Sequence, residues 1–203
     1  MSLQNLDLAP LGSLLGLKEL SISHNMSLEN LDLNPIGGLI KLKTLIISGN
    51  TSLRSIDLSS LSNLIGLEQL NLSLNTGLMN LDLTPLGSLR NVREIYVSGN
   101  KRLTALDLSP LVSLRELQKL GLQENTGLTW LDVTPLECLS NAPIALKETA
   151  SLKKVVSFLS PENMGFRLYS SRGSRFLSKL PIMFSFTPLA SFEYIVKLRP
   201  IVE

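Results

Sequence analysis

The chain has 203 residues, a formal net charge of +2 and an apolar fraction of 44%, although aromatic residues make up only 5%. So small a charge excludes electrostatics alone as a basis for nucleic-acid or membrane-surface binding. No run of about 18 apolar residues offers a membrane span, and the single cysteine, Cys138, excludes an internal disulfide.

In chain order, the first eight residues, Met1-Ser2-Leu3-Gln4-Asn5-Leu6-Asp7-Leu8, align with Met26-Ser27-Leu28-Glu29-Asn30-Leu31-Asp32-Leu33. The sequence therefore opens in mid-repeat, without a polar cap. A repeat array needs such a cap to keep its end layer out of water. The expectation is a longer array, a frayed first coil or self-association through the uncapped N-terminal end. No basic segment leads into an apolar run, so no secretory leader is expected. Together with the lone cysteine this points to a reducing, cytoplasmic location. Sequons stand at Asn25, Asn50 and Asn71, but the first two occupy a position expected to be interior.

From there two columns run in step. Asn25, Asn50, Asn75, Asn100 and Asn125 recur every 25 residues, and so do Asp7, Asp32, Asp57, Asp82, Asp107 and Asp132. One unit, from Leu42 to Gly66, reads LKTLIISGNTSLRSIDLSSLSNLIG, with Leu42, Leu45, Ile47, Leu53, Ile56, Leu58, Leu61 and Leu64 apolar. Its opening matches L-x-x-L-x-L-x-x-N, and here the sequence resembles the leucine-rich-repeat superfamily. The closing N-x-L departs from the pattern, because Leu53 stands three places after Asn50. The resemblance implies an α/β repeat solenoid over residues 1–141. It would be a right-handed coil with a parallel β-sheet on its concave face and short helical turns on its convex side.

The pieces of a unit have physical roles. Leu45-Ile46-Ile47 reads as a short strand whose first and third side chains point inward. At the turn that follows, a buried asparagine amide can both donate and accept, satisfying its own loop and its neighbour's. The second half reads L-D-L-[S/T/N]-P-L-x-x-L. Leu81-Asp82-Leu83 suggests a second extended segment. Asn34-Pro35, Thr84-Pro85, Ser109-Pro110 and Thr134-Pro135 suggest helix caps followed by proline. Leu86, Leu89 and Val92 supply one apolar stripe for a short helix.

Six aspartates stacked at about 4.8 Å would repel by about 1 kcal/mol per neighbouring pair even in water, so something must offset the charge. One reading is local: each carboxylate accepts the backbone N–H two residues on, in an Asx turn. The other is a row of cation sites. The local reading is favoured, and neither metal nor cofactor is expected. Catalysis is not expected either. The only histidine, His24, sits on a turn, and Cys138 lies about four coils away in a column of small residues.

The resemblance implies that partners bind the concave face. The outward positions there include Thr44, Ile46, Gln69, Asn71, Glu94, Tyr96 and Lys119, with Leu74 at the strand edge. Tyr96 and Ile46 flank Asn71 amid small polar neighbours, the make-up of a binding hot spot. The expected function is a non-catalytic protein-interaction module. The alternatives are a self-assembling repeat fragment or the recognition arm of a larger enzyme.

After Asn141 the character changes. Residues 1–139 carry a charge balance of −3 and residues 140–203 one of +5, and all six phenylalanines lie beyond residue 157. Phe184-Ser185-Phe186-Thr187-Pro188 echoes Leu81-Asp82-Leu83-Thr84-Pro85, and Phe158-Leu159-Ser160-Pro161 echoes Asp107-Leu108-Ser109-Pro110. Residues 142–203 read as two decayed coils with phenylalanine in place of leucine, or as a separate cap. The Lys153-Lys154 pair and Arg167, Arg172 and Arg175 read as a solvated basic face, since no nucleic-acid motif accompanies them.

Overall fold

The structure, a computed structural model, describes residues 4–132 and 135–136, together with four short strands in the tail: Ile144–Ala145, Lys154–Ser157, Leu168–Tyr169 and Glu193–Val196. Cys138, the six phenylalanines and the coil starts at Pro161 and Pro188 lie outside the described residues.

Five strands in consecutive coils, Glu19–Ser23, Thr44–Ser48, Gln69–Asn71, Glu94–Tyr96 and Lys119–Gly121, pair in parallel with a shift of 25 residues at every step. Leu20, Leu45, Leu70, Ile95 and Leu120 thereby stand side by side. Ile144–Ala145 pairs beside Leu120–Gly121, and Leu168–Tyr169 beside that, completing a seven-stranded parallel sheet. Parallel strands need a crossover longer than a tight hairpin, and the rest of each 25-residue unit supplies it.

A second ladder is partial. It joins Asn5–Leu6 to Asn30–Leu31, and it joins Trp130–Asp132 to Lys154–Ser157 and then to Glu193–Val196. Around Leu81-Asp82-Leu83 no strand forms. Leu83, like Leu8 and Leu33, has already left the extended region, with φ −93 and ψ 0.

The convex elements are single 3-10 turns: Ala9–Ser13, Asn34–Ile36, Ser59–Asn63, Thr84–Ser88 and Ser109–Ser113. Asn34, Thr84 and Ser109 are the first helical residues rather than caps, and proline stands second. The capping oxygen comes from two residues earlier. Asp7, Asp32, Asp57, Asp82 and Asp107 each accept through Oδ1 from the backbone N–H two positions on, at 2.8–2.9 Å. A carboxylate reaches the first free N–H of such a tight turn from outside it, which is the Asx geometry. Thr134 lies outside the described residues.

Leucine fills the space between the layers. Leu28, Leu53, Leu78, Leu103 and Leu128 form one fully buried column, and among the described residues the buried apolar side chains belong to a single continuous core. Removing one such side chain to alanine costs about 2–5 kcal/mol in a packed interior.

The asparagine column stitches the layers together. The backbone N–H of Asn25, Asn50, Asn75 and Asn100 donates to Oδ1 of the asparagine 25 residues later, at 2.8–3.0 Å. Each Nδ2 turns to strand carbonyls: Asn75 donates to Ile47 and Leu72, and Asn100 to Leu72 and Val97. Asn50, Asn75, Asn100 and Asn125 are buried. Asn25 is only half-buried, contrary to the interior position expected for it, because it lies in the outermost described copy of this turn.

Candidate interaction surface

Two outward columns cross the concave sheet. In the first, Glu19, Thr44, Gln69, Glu94 and Lys119 stand in register. In the second, Ser21, Ile46, Asn71, Tyr96 and Gly121 do. Strand alternation turns both columns away from the leucine core. Ile46 and Tyr96 do flank Asn71, and all three are half-buried.

Four of these side chains join into one network with Glu94 at its centre. Glu94 accepts from Lys119 Nζ at 2.6 Å, from Tyr96 Oη at 2.9 Å and from Gln69 Nε2 at 3.1 Å. The Lys119 ammonium is the main reason that the Glu94 carboxyl lies below its ordinary range, against an opposing effect of burial. Burial first, and then the bond to Glu94, pushes the Tyr96 hydroxyl up. Glu94 in turn raises Lys119. A second ion pair, Lys43 to Glu68 at 2.6 Å, lies on the preceding coils. Thr44 and Ile46 stay outside the Glu94 network.

Beside Tyr96 the surface dips into an open depression of about 360 Å³. Gln69, Asn71, Ser73 and Leu74 line one part of it, and Tyr96, Ser98, Gly99, Gln123 and Glu124 the rest. Asn71 Oδ1 is already engaged, accepting from the Ser73 N–H at 2.9 Å. Ser73 and Ser98 sit lower than outward strand positions suggest and are buried. The Ser73 hydroxyl serves the next coil, its Oγ accepting from the Ser98 N–H at 3.1 Å.

Leu74 forms the lip, 47% exposed and with φ +61. A left-handed backbone is unfavourable for a leucine. It occurs in a column of His24, Gly49, Leu74, Gly99 and Glu124, all with positive φ. In this column side chains and glycines alternate for a steric reason. A Cβ on Gly99 would meet Leu74 Cδ2 at 2.6 Å, and one on Gly49 would meet His24 Cδ2 at 3.0 Å. His24 lies over Gly49 and Leu74 over Gly99, each a glycine of the next coil.

Counting along the strands already places Ser98, Gly121 and Gln123 among the outward positions, whereas Gly99 and Glu124 are parts of this surface that no motif in the sequence singles out. One signal was available. Gly121 stands in the column of Ser21, Ile46, Asn71 and Tyr96, where every earlier coil has a side chain. The Tyr96 ring occupies that space, its Cδ1 only 2.9 Å from the place a Cβ on Gly121 would take.

The aspartate column borders a separate outer depression of about 480 Å³, lined by Asp82, Asp107 and Asp132 among others. The hydrogen bonds from Ser59 to Asp57 and from Thr84 to Asp82 hold both carboxyls below their ordinary values. Repulsion by Asp57 is the smallest influence on Asp82, so local bonding outweighs the like-charge stack. Among the described residues no three His, Cys, Asp or Glu side chains gather as a metal site, and no helix is long and apolar enough to cross a membrane.

No protein-family model matches the chain, and no curated protein matches its sequence. Solved structures do resemble it. Internalin C2 of Listeria monocytogenes is 22% identical over 69% of this chain and 76% of its own, with a TM-score of 0.41. An internalin F of the same organism is 19% identical over 83% of this chain and 67% of its own, with a TM-score of 0.39. A chain in the Toll–Spatzle complex of Drosophila is 15% identical over 78% of this chain and 22% of its own, with a TM-score of 0.57. At this identity the likeness to that last structure concerns the fold alone. It agrees with the 25-residue parallel register and the buried asparagine stitching: the chain folds as a leucine-rich-repeat solenoid.

Proposed function

We propose that the chain is a non-catalytic interaction module that holds a protein partner on its concave face, centred on Tyr96. The observation that carries this reading is the outward column Ile46, Asn71, Tyr96 beside the open depression of about 360 Å³. Partly desolvated aromatic and aliphatic side chains amid hydrogen-bonding groups are what binding hot spots are made of. The fold it shares with a chain of the Toll–Spatzle complex supports the same class of function. A cytoplasmic location belongs to the proposal, on the strength of the lone cysteine.

Capture of interacting proteins by the wild type, Tyr96→Ala, Ile46→Ser and Ile65→Ser tests it. Ile65 is exposed away from this face. A partner lost with the first two variants and retained with the third supports the reading. Equal recovery by all four overturns it.

A second reading has its own observation. Leu14 is exposed in the first coil where Leu39, Leu64 and Leu89 of its column are buried, and Leu6, Leu11, Leu17 and Leu20 are covered only in part. Association through this end with a second copy would cover them. Light scattering across a concentration series should then show reversible growth that Leu14→Lys abolishes, and a constant mass in the wild type rejects it.

A further inference from the structure

We propose that the depression beside Tyr96 is a socket for an arginine side chain of the partner. The proposal rests on the concave-face reading above and names the chemistry that the face recognises.

The first observation is a hydrogen-bonding deficit at one spot. Ser98 Oγ and Gln123 Oε1 are buried atoms without a partner. Both lie against Gly121 beside the Tyr96 ring, at 3.1 and 3.2 Å from where a Cβ would stand. The equivalent serines of the preceding coils show no such deficit, since Ser73 Oγ takes the Ser98 N–H and Ser23 Oγ pairs with Ser48 Oγ at 3.3 Å. The other unpaired buried hydroxyl, Ser60 Oγ, lies in the 3-10 turn Ser59–Asn63, away from this face. A buried acceptor left unpaired costs about 1–3 kcal/mol. A ligand bringing N–H donors recovers that loss, with the Gln123 amide rotating to meet it.

The second observation is charge. Glu124 is the one charged side chain lining the depression, and it has no ion-pair partner among the described residues. The neighbouring Glu94 is already held by Lys119, Tyr96 and Gln69, and Lys119 is engaged by Glu94. The unbalanced charge of the socket is therefore negative. An acidic side chain would be repelled and would bring no donor. A neutral amide would leave Glu124 uncompensated.

Between the two cations, the shape decides. A guanidinium is planar and weakly hydrated, carries five N–H donors and no acceptor, and stacks on aromatic rings. The socket presents an aromatic ring, two unpaired acceptors and a carboxylate. Leu74, held at the lip, packs against the methylene stem that an arginine buries behind its head.

Selection of a random-sequence peptide library on the full chain tests the socket. The selected peptides should share an arginine, and replacing it by the neutral isostere citrulline should weaken binding at least tenfold. Glu124→Gln should weaken the arginine peptide about tenfold and leave the citrulline peptide unchanged. Tyr96→Phe should keep binding and Tyr96→Leu should lose it, a distinction that a purely packing role for the ring would not make. Arginine and citrulline peptides binding alike, or no peptide rising above background, overturns the socket. Peptides that lack a basic residue yet depend on Tyr96 overturn the socket and leave the concave-face reading standing. Peptides indifferent to both Tyr96→Ala and Ile46→Ser overturn that reading as well.

Discussion

The asparagine and aspartate columns share a period of 25 and differ in everything else. Asn50, Asn75, Asn100 and Asn125 are buried and the asparagines bond from one coil to the next, whereas Asp7, Asp32, Asp57, Asp82 and Asp107 are exposed and bond two residues along their own chain. An amide carries a donor and an acceptor, so it can serve two layers at once. An ionised carboxylate only accepts, and burying one unpaired in every layer would be prohibitive. The interior column therefore takes the amide and the exterior column the charge. One secures the stack and the other shapes a turn.

Substitution separates the two roles, and the largest effect belongs to the interior. Asn75→Ala orphans the Asn50 N–H and removes the amide donor to the Ile47 carbonyl, while the Leu72 carbonyl keeps its bond from Asn100 Nδ2. At about 1–3 kcal/mol for each buried group left unpaired, the loss should be about 2 kcal/mol or more. Chemical denaturation measures it, and a loss below that of Asp82→Ala would reverse the roles assigned to the columns.

Next comes the left-handed column that joins the turn to the concave lip. Gly99→Ala should destabilise by about 1–3 kcal/mol, since it adds strain at positive φ and a clash with Leu74. Leu74→Gly should be milder, because relief of its own backbone strain offsets the lost cover over Gly99. The double variant should recover part of the Gly99→Ala loss. Strict additivity in a double-mutant cycle would show that the two residues do not touch.

The smallest effects belong to the exterior. Asp82→Ala should lower the melting temperature by less than any buried asparagine variant does. The pH dependence has a definite sign. Asp57 and Asp82 are lowered from the ordinary 3.8 when folded. Their contribution is present above that value and fades as pH falls through the lower folded values. Melting curves between about pH 5 and pH 2 should therefore fall less steeply for Asp57→Asn than for the wild type. Identical slopes would show that the turn bonds do not differentiate the folded from the unfolded carboxylate. Calcium should leave the melting temperature unmoved, as carboxylates committed to local turns offer no shared site.

Much of this was legible because a solenoid writes its geometry at a fixed period. The strand register, the buried leucines and the partners of each asparagine follow from Leu45, Asn50 and Leu53 recurring in every unit. Asn34, Thr84 and Ser109 were read as caps because that composition normally precedes a helix. A single 3-10 turn instead draws its cap from the aspartate two residues before. On the concave face, Ile46, Asn71 and Tyr96 could be aligned by counting. The focus on Glu94, the lean of Tyr96 over Gly121 and the unpaired atoms of Ser98 and Gln123 depend on side-chain directions that no period encodes.

The sequence by itself determined the repeat, its length and which residues face the interior, since 25-residue spacing admits one register in which every leucine and asparagine finds its counterpart. Only the tertiary structure decided which outward side chains bond to one another and which stay available. That choice is made between neighbouring coils, where a missing side chain at one residue, Gly121, sets where the ring of another comes to rest.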